Sequence, residues 1–134
     1  MKPFSLESSM MTMFGVFYPT GYLFVMVPQL ADAETLDRNL RTSGYSGHDV
    51  MLLTPEVILG KIGHTVQDDT GLLPSVGTEG DTVLEYERLA REGHHAVLVH
   101  APSEEDTQHV MEAVRTVPFS YAQKYRTLII EDMT

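Results

Sequence analysis

Six histidines are the side chains best suited to chemistry near neutral pH, where imidazole titrates and can bind metal. Their spacing argues against a shared ion. His94 and His95 are adjacent, so on a strand they point to opposite faces. His94 and His100 share a face but stand six residues apart, roughly 20 Å along an extended strand. The chain has no His-Glu-x-x-His run and no cysteine, hence no thiolate ligand, cysteine nucleophile or disulfide. The expectation is a chain with no metal site, no cofactor and no catalytic residues.

Other candidate motifs have simpler explanations. Glu105 and Asp106 lie four and three residues before His109, the spacing of a solvated charge pair on one helix face. Asp68 and Asp69 with His64 lack the spaced oxygen ligands of a calcium loop. Gly77-Thr78-Glu79-Gly80 precedes a helix but lacks the Gly-Lys-Ser/Thr ending of a phosphate cradle, and Glu79 and Asp81 would repel phosphate. No Gly-x-Ser-x-Gly elbow is present. One group stands out. His100 ends an apolar run at a place where the repeat described below has Met26, so the two are expected side by side at the ends of adjacent strands. A ligand contact there would use His100, Met26 and Phe24.

These residues must be positioned by a chain of 134 residues, 43 % apolar and 21 % charged, which suffices for one packed domain. Nineteen acidic against nine basic side chains leave a net charge of −10. That charge repels phosphate backbones and anionic lipid heads, so neither nucleic acid nor membrane is an expected partner. The uncharged stretch from Met10 to Val27 is interrupted by Tyr18-Pro19-Thr20-Gly21 and reads as two short elements, not one membrane span. Glu7 interrupts the N-terminal stretch and no small-residue cleavage site follows, so it reads as part of the domain. The lack of cysteine fits a cytoplasmic location.

Sliding the sequence against itself by 74 places sets Tyr22 to Ser46 on Ala96 to Ser120 without a gap. Pro28 meets Pro102, Asp32 meets Asp106, Arg41 meets Arg115, and Leu36 and Leu40 meet Val110 and Val114. Such self-similarity means that one supersecondary unit is used twice. Leu23–Val27 and Val97–Val99 read as strands. Apolar residues at helical spacing follow each, with a capping-box start at Ser103 and Asp106, and stops at Gly44 and Pro118. Allowing three extra residues in the second copy, Val50–Leu53 and Thr127–Ile130 read as the closing strands. Between repeats of about 21–54 and 94–132 lies an insertion of about 55–93. It holds a short helix capped by Thr54 with Pro55 in its first turn, a long loop from Gly63 to Gly80, and a helix of about Asp81 to Glu92. The loop is expected to be the most mobile segment apart from the extreme N-terminus.

Two βαβ units predict an α+β domain with a ferredoxin-like, four-stranded antiparallel sheet and both repeat helices on one face. Gly21-Tyr22-Leu23-Phe24-Val25, Gly44-Tyr45-Ser46 and the stretch Tyr86…Leu89…Gly93…Val97-Leu98-Val99 resemble a group of small bacterial general-stress-protein domains of that fold. The resemblance spans roughly Gly21 to Asp132. It implies the fold and a link to stress or envelope physiology, and brings no catalytic residues with it.

The strands do not alternate apolar and polar residues as strands covered on one side do. Leu23, Val25 and Val27 point one way, and Tyr22, Phe24 and Met26 the other. Two helices cover one face only. A homodimer joined through the helix-free face is one expected cover; the rival is the chain's own Met10–Phe17 segment with the Asp81–Glu92 helix. The functional expectation is a non-enzymatic regulatory or interaction domain that self-associates and binds a protein or small ligand. The alternative is a ligand-binding protein or enzyme using a sheet cleft near His100.

Overall fold

A computed structural model describes residues 1–12, 15–63, 78–127 and 129–134. They form an α+β domain around one mixed sheet of six strands: β1 (Lys2–Pro3), β2 (Tyr22–Val27), β3 (Val50–Leu53), β4 (His95–His100), β5 (Tyr121–Tyr125) and β6 (Ile130–Asp132). Their order across the sheet is β1-β3-β4-β2-β5-β6. All neighbours are antiparallel except β1 and β3. The helices are α1 (Leu30–Thr42), α2 (Pro55–Val57, continued by a π-helical turn, Ile58–Ile62), α3 (Thr78–Arg91) and α4 (Glu104–Val114). The sheet is thus two strands wider than the four expected.

The repeat is visible where each crossover begins. The Gln29 N–H donates to the Asp32 carboxylate at 3.1 Å before α1. Before α4, the Ser103 N–H does the same to Asp106 at 3.4 Å, and the Asp106 N–H returns a bond to Ser103 Oγ at 3.0 Å. Both pairs are 74 positions apart, and each satisfies amide groups that a helix start leaves without partners. Leu36 and Val110 are both fully buried in one cluster with Leu23, Val25, Val97 and Val99. Gly44 has φ of 101°, a left-handed conformation that suits glycine where α1 turns into the next strand.

The face without α1 and α4 is not bare, which removes the premise on which the dimer rested. The N-terminal segment folds back across it through a Met11–Phe17 bridge and lays Met10, Val16 and Phe17 on the sheet. Ile58 and Ile62 of the π-helical turn, with Val83, Tyr86 and Ala90 of α3, complete the cover. Phe17 meets Phe4, Phe24 and Tyr125 edge-on at 5.8–6.2 Å. The rival cover is therefore the one observed.

Two expected elements fall elsewhere. The strand closing the second repeat is Tyr121–Tyr125, three residues after Pro118, so the repeat has no insertion there. Gln123 and Lys124 disguised it, since both are polar yet buried. Of the apolar run that suggested a strand at Thr127–Ile130, Ile130 opens β6 and Leu128 lies outside the described residues. Helix α3 starts at Thr78, three residues before the expected start. The loop expected from Gly63 to Gly80 falls mostly on residues 64–77, outside the described residues, as do the His64, Asp68 and Asp69 of the rejected calcium loop.

Candidate functional site

His100 is the last residue of β4, and its cross-strand neighbour is Tyr22 at the start of β2. Met26 lies at the far end of β2, opposite Ala96. Antiparallel pairing sends positions that match in the repeat to opposite ends of the ladder, so His100 and Met26 are not side by side. The Tyr22 and His100 rings are 4.8 Å apart and tilted by 47°. Asp49 Oδ1 lies 3.8 Å from His100 Nδ1, an ion pair only when the imidazole is protonated. Burial raises the Tyr22 phenol pKa, and the Glu7 and Asp49 carboxylates raise it further. Both His100 and Asp49 side chains are about two-fifths exposed, at 41 % and 43 %, so water screens their pairing.

Phe24 and Met26 are core residues. Both are fully buried on the face covered by the N-terminal segment and α3. Phe24 stacks on Tyr86 with centroids 3.9 Å apart. The Tyr86 and Tyr125 hydroxyls share a hydrogen bond of 2.8 Å, giving two buried phenols a partner. Burial, followed by charge repulsion with the Tyr125 phenol and their shared hydrogen bond, lifts the Tyr86 pKa well above 10.0.

A second buried polar group, Lys124, went unrecognised as such in the sequence. Only 2 % exposed, it points from β5 toward the helices. Its ammonium donates to the Ala101 carbonyl and, at 2.9 Å, to Thr107 Oγ1. Thr107 passes the bond on to the Ser103 carbonyl at 2.9 Å. Lys124 thus pins the entry of α4 to the sheet. Burial lowers its pKa and Arg126 lowers it further, against a smaller opposing pull from Glu104, Asp106 and Glu131. The available signal was its spacing: Lys124 alternates with Ala122, so it had to face the same layer.

At the margin beyond Lys124, Arg126 ties three elements. Its guanidinium binds Glu104 of α4 at 2.9 Å and Glu131 of β6 at 2.7 Å, and its carbonyl accepts the Tyr18 hydroxyl at 2.7 Å. The Glu104 carboxyl is held below its usual pKa chiefly by the Arg126 hydrogen bond. β6 is the outermost strand on this side. Arg126 N–H donates to the Ile129 carbonyl and Met133 N–H to the Ala122 carbonyl, both at 2.9 Å. Bonded pairs alternate along an antiparallel ladder, so Lys124–Glu131 is bonded while Tyr125–Ile130 and Gln123–Asp132 are not. The N–H and C=O groups of Ile130 and Asp132 therefore point away from β5. No described residue bonds them there. Ile129 beside them is 61 % exposed.

No protein-family model, curated protein or solved structure matches this chain. Among the described residues, no group of three or more His, Asp or Glu side chains could hold a metal ion, and no helix is long and apolar enough to cross a membrane. His94 Nδ1 is bonded to Ser120 Oγ at 2.8 Å and, with Ser120, closes the start of β5 onto the Met26 carbonyl. The His109 ring stands edge-on to Tyr45 at 5.4 Å, a contact between α4 and the loop after α1.

Proposed function

We propose that the chain is a non-enzymatic interaction domain whose working surface is the outer edge of β6, which bonds no described residue. The observation that carries this reading is the outward set of N–H and C=O groups on Ile130 and Asp132 next to exposed Ile129. Such an edge is a template for pairing with another extended chain. The buried polar groups Lys124, Tyr86 and Tyr125 support the same reading, because their hydrogen bonds tie elements of the fold together. The order of the four inner strands, β3-β4-β2-β5, is compatible with a ferredoxin-like core widened by β1 and β6. The likeness to general-stress-protein domains adds a role in bacterial stress physiology to the proposal, in the cytoplasm. Antiparallel self-association that uses the outward groups of both Ile130 and Asp132 would set Glu131 against Glu131 of the other copy, which disfavours it.

A second reading has its own observation: His100, Tyr22 and Asp49 converge beside Gly21, whose φ is 86°. A small ligand held there would stabilise the fold by mass action. Thermal-shift screening against metabolites and metal ions separates the two. The interaction reading expects no ligand whose stabilisation disappears in His100→Ala; one such ligand would favour the His100 site.

A further inference from the structure

We infer that the occupant of the β6 edge is an extended segment of another protein in which a pair of apolar residues adjoins a pair of basic ones. This rests on the reading of β6 as the working edge and names its partner. Along the edge, Ile129-Ile130 forms an apolar half and Glu131-Asp132 an acidic half. Residues facing one another across a ladder interact as pairs, and opposite charges or two apolar side chains are favourable there. An added strand therefore sets apolar side chains beside Ile129 and Ile130, and cations beside Glu131 and Asp132.

The surroundings point the same way on both faces of the sheet. Glu131 lies on the α4 face, where Glu104 stands beyond it; Arg126, the cation between them, is neutralised by both. Asp132 lies on the α3 face, where it and Glu85 both raise the Tyr121 pKa behind the burial effect. Arg88 neighbours Glu85 and is paired with it and with Glu92. The net charge of −10 extends the attraction beyond the edge. A second copy of this chain meets the opposite situation, acid against acid.

A fluorescently labelled Lys-Lys-Val-Val-containing octapeptide, followed by anisotropy at 50 mM salt, tests this. The expected result is saturable binding that weakens at least tenfold in Asp132→Pro and equally on N-methylating alternate peptide amides. Proline at 132 removes an outward N–H and leaves the bonds to β5 in place. Glu131→Gln, which keeps every backbone group, should weaken binding a few-fold and flatten its salt dependence. Peptide that binds Asp132→Pro or its own N-methylated form as tightly would show adsorption to an acidic surface and overturn the inference. So would the absence of binding at millimolar peptide. In that event, freely exchanging Ile130 and Asp132 amides would leave the open-edge reading standing, and protected ones would remove it as well.

Discussion

The two βαβ repeats build the same layer from different materials. In the first, Leu52 of β3 faces Val97 of β4, and the helix packs through Ala33 near Val27. In the second, Lys124 faces Leu23 of β2, and Thr107 and Ala101 occupy the places of Ala33 and Val27. At this contact the first repeat packs apolar side chains. The other carries a buried ammonium, a hydroxyl and two carbonyls in sequence. A repeat therefore conserves the path of the chain without conserving the chemistry that holds it. The polar version is specified by geometry: its hydrogen bonds form only when α4 starts where it does.

The largest expected effect tests what the repeats share. Leu36→Ala should cost about 2–5 kcal/mol and Val110→Ala somewhat less, since each empties the same helix-to-sheet contact. Denaturant unfolding would break the comparison if one of the two were neutral. Next comes what they do not share. Thr107→Ala leaves the Lys124 ammonium short of an acceptor and should cost about 1–3 kcal/mol. Adding Lys124→Leu rebuilds the apolar arrangement of the first repeat and should recover most of that loss. A double variant no more stable than Thr107→Ala alone would mean that the ammonium is not the strained partner.

A smaller effect concerns alkali. Burial raises the pKa of Tyr86 above 10.0 and that of Tyr45 to about 12. Stability from these phenols is complete below pH 10, where folded and unfolded chains both keep the proton. It is lost as pH rises from there through the folded values, because only the unfolded chain releases protons. Lys124 has the opposite sign: its lowered pKa makes stability rise with pH up to about 10.5. Tyrosine ionisation followed at 295 nm should therefore coincide with unfolding above pH 10, and Tyr86→Phe should make the loss shallower. The smallest effect belongs to the margin. Asp132→Pro should shift stability by no more than about 0.5 kcal/mol, because the N–H it deletes has no described partner.

Much of the architecture was legible because its signals are local. Ser103 and Asp106 start α4 wherever the chain goes, and spacing alone marks the buried sides, Leu36 and Leu40 on α1 and Val110 and Val114 on α4. The two-faced apolar strands also announced a cover on each side. What covers the second face was not legible, since Met10, Val16 and Phe17 could lie across their own sheet or leave it to another. Gln123 and Lys124 hid β5 because both are polar yet buried; for Lys124 the burial is explained only by partners distant in sequence, Ala101 and Thr107. His100 was located as a strand-end group. Its neighbours Tyr22 and Asp49 follow from antiparallel register, which the repeat by itself does not fix.

The claim that β6 presents an unpaired edge is tested most directly by hydrogen exchange of single amides, read by NMR on the isolated chain. The account predicts that the Glu131 amide, bonded into the Lys124 pair, is protected, while those of Ile130 and Asp132 exchange at rates close to unstructured peptide. Protection of Ile130 and Asp132 equal to that of Glu131 would mean that the edge is already occupied, and would contradict it.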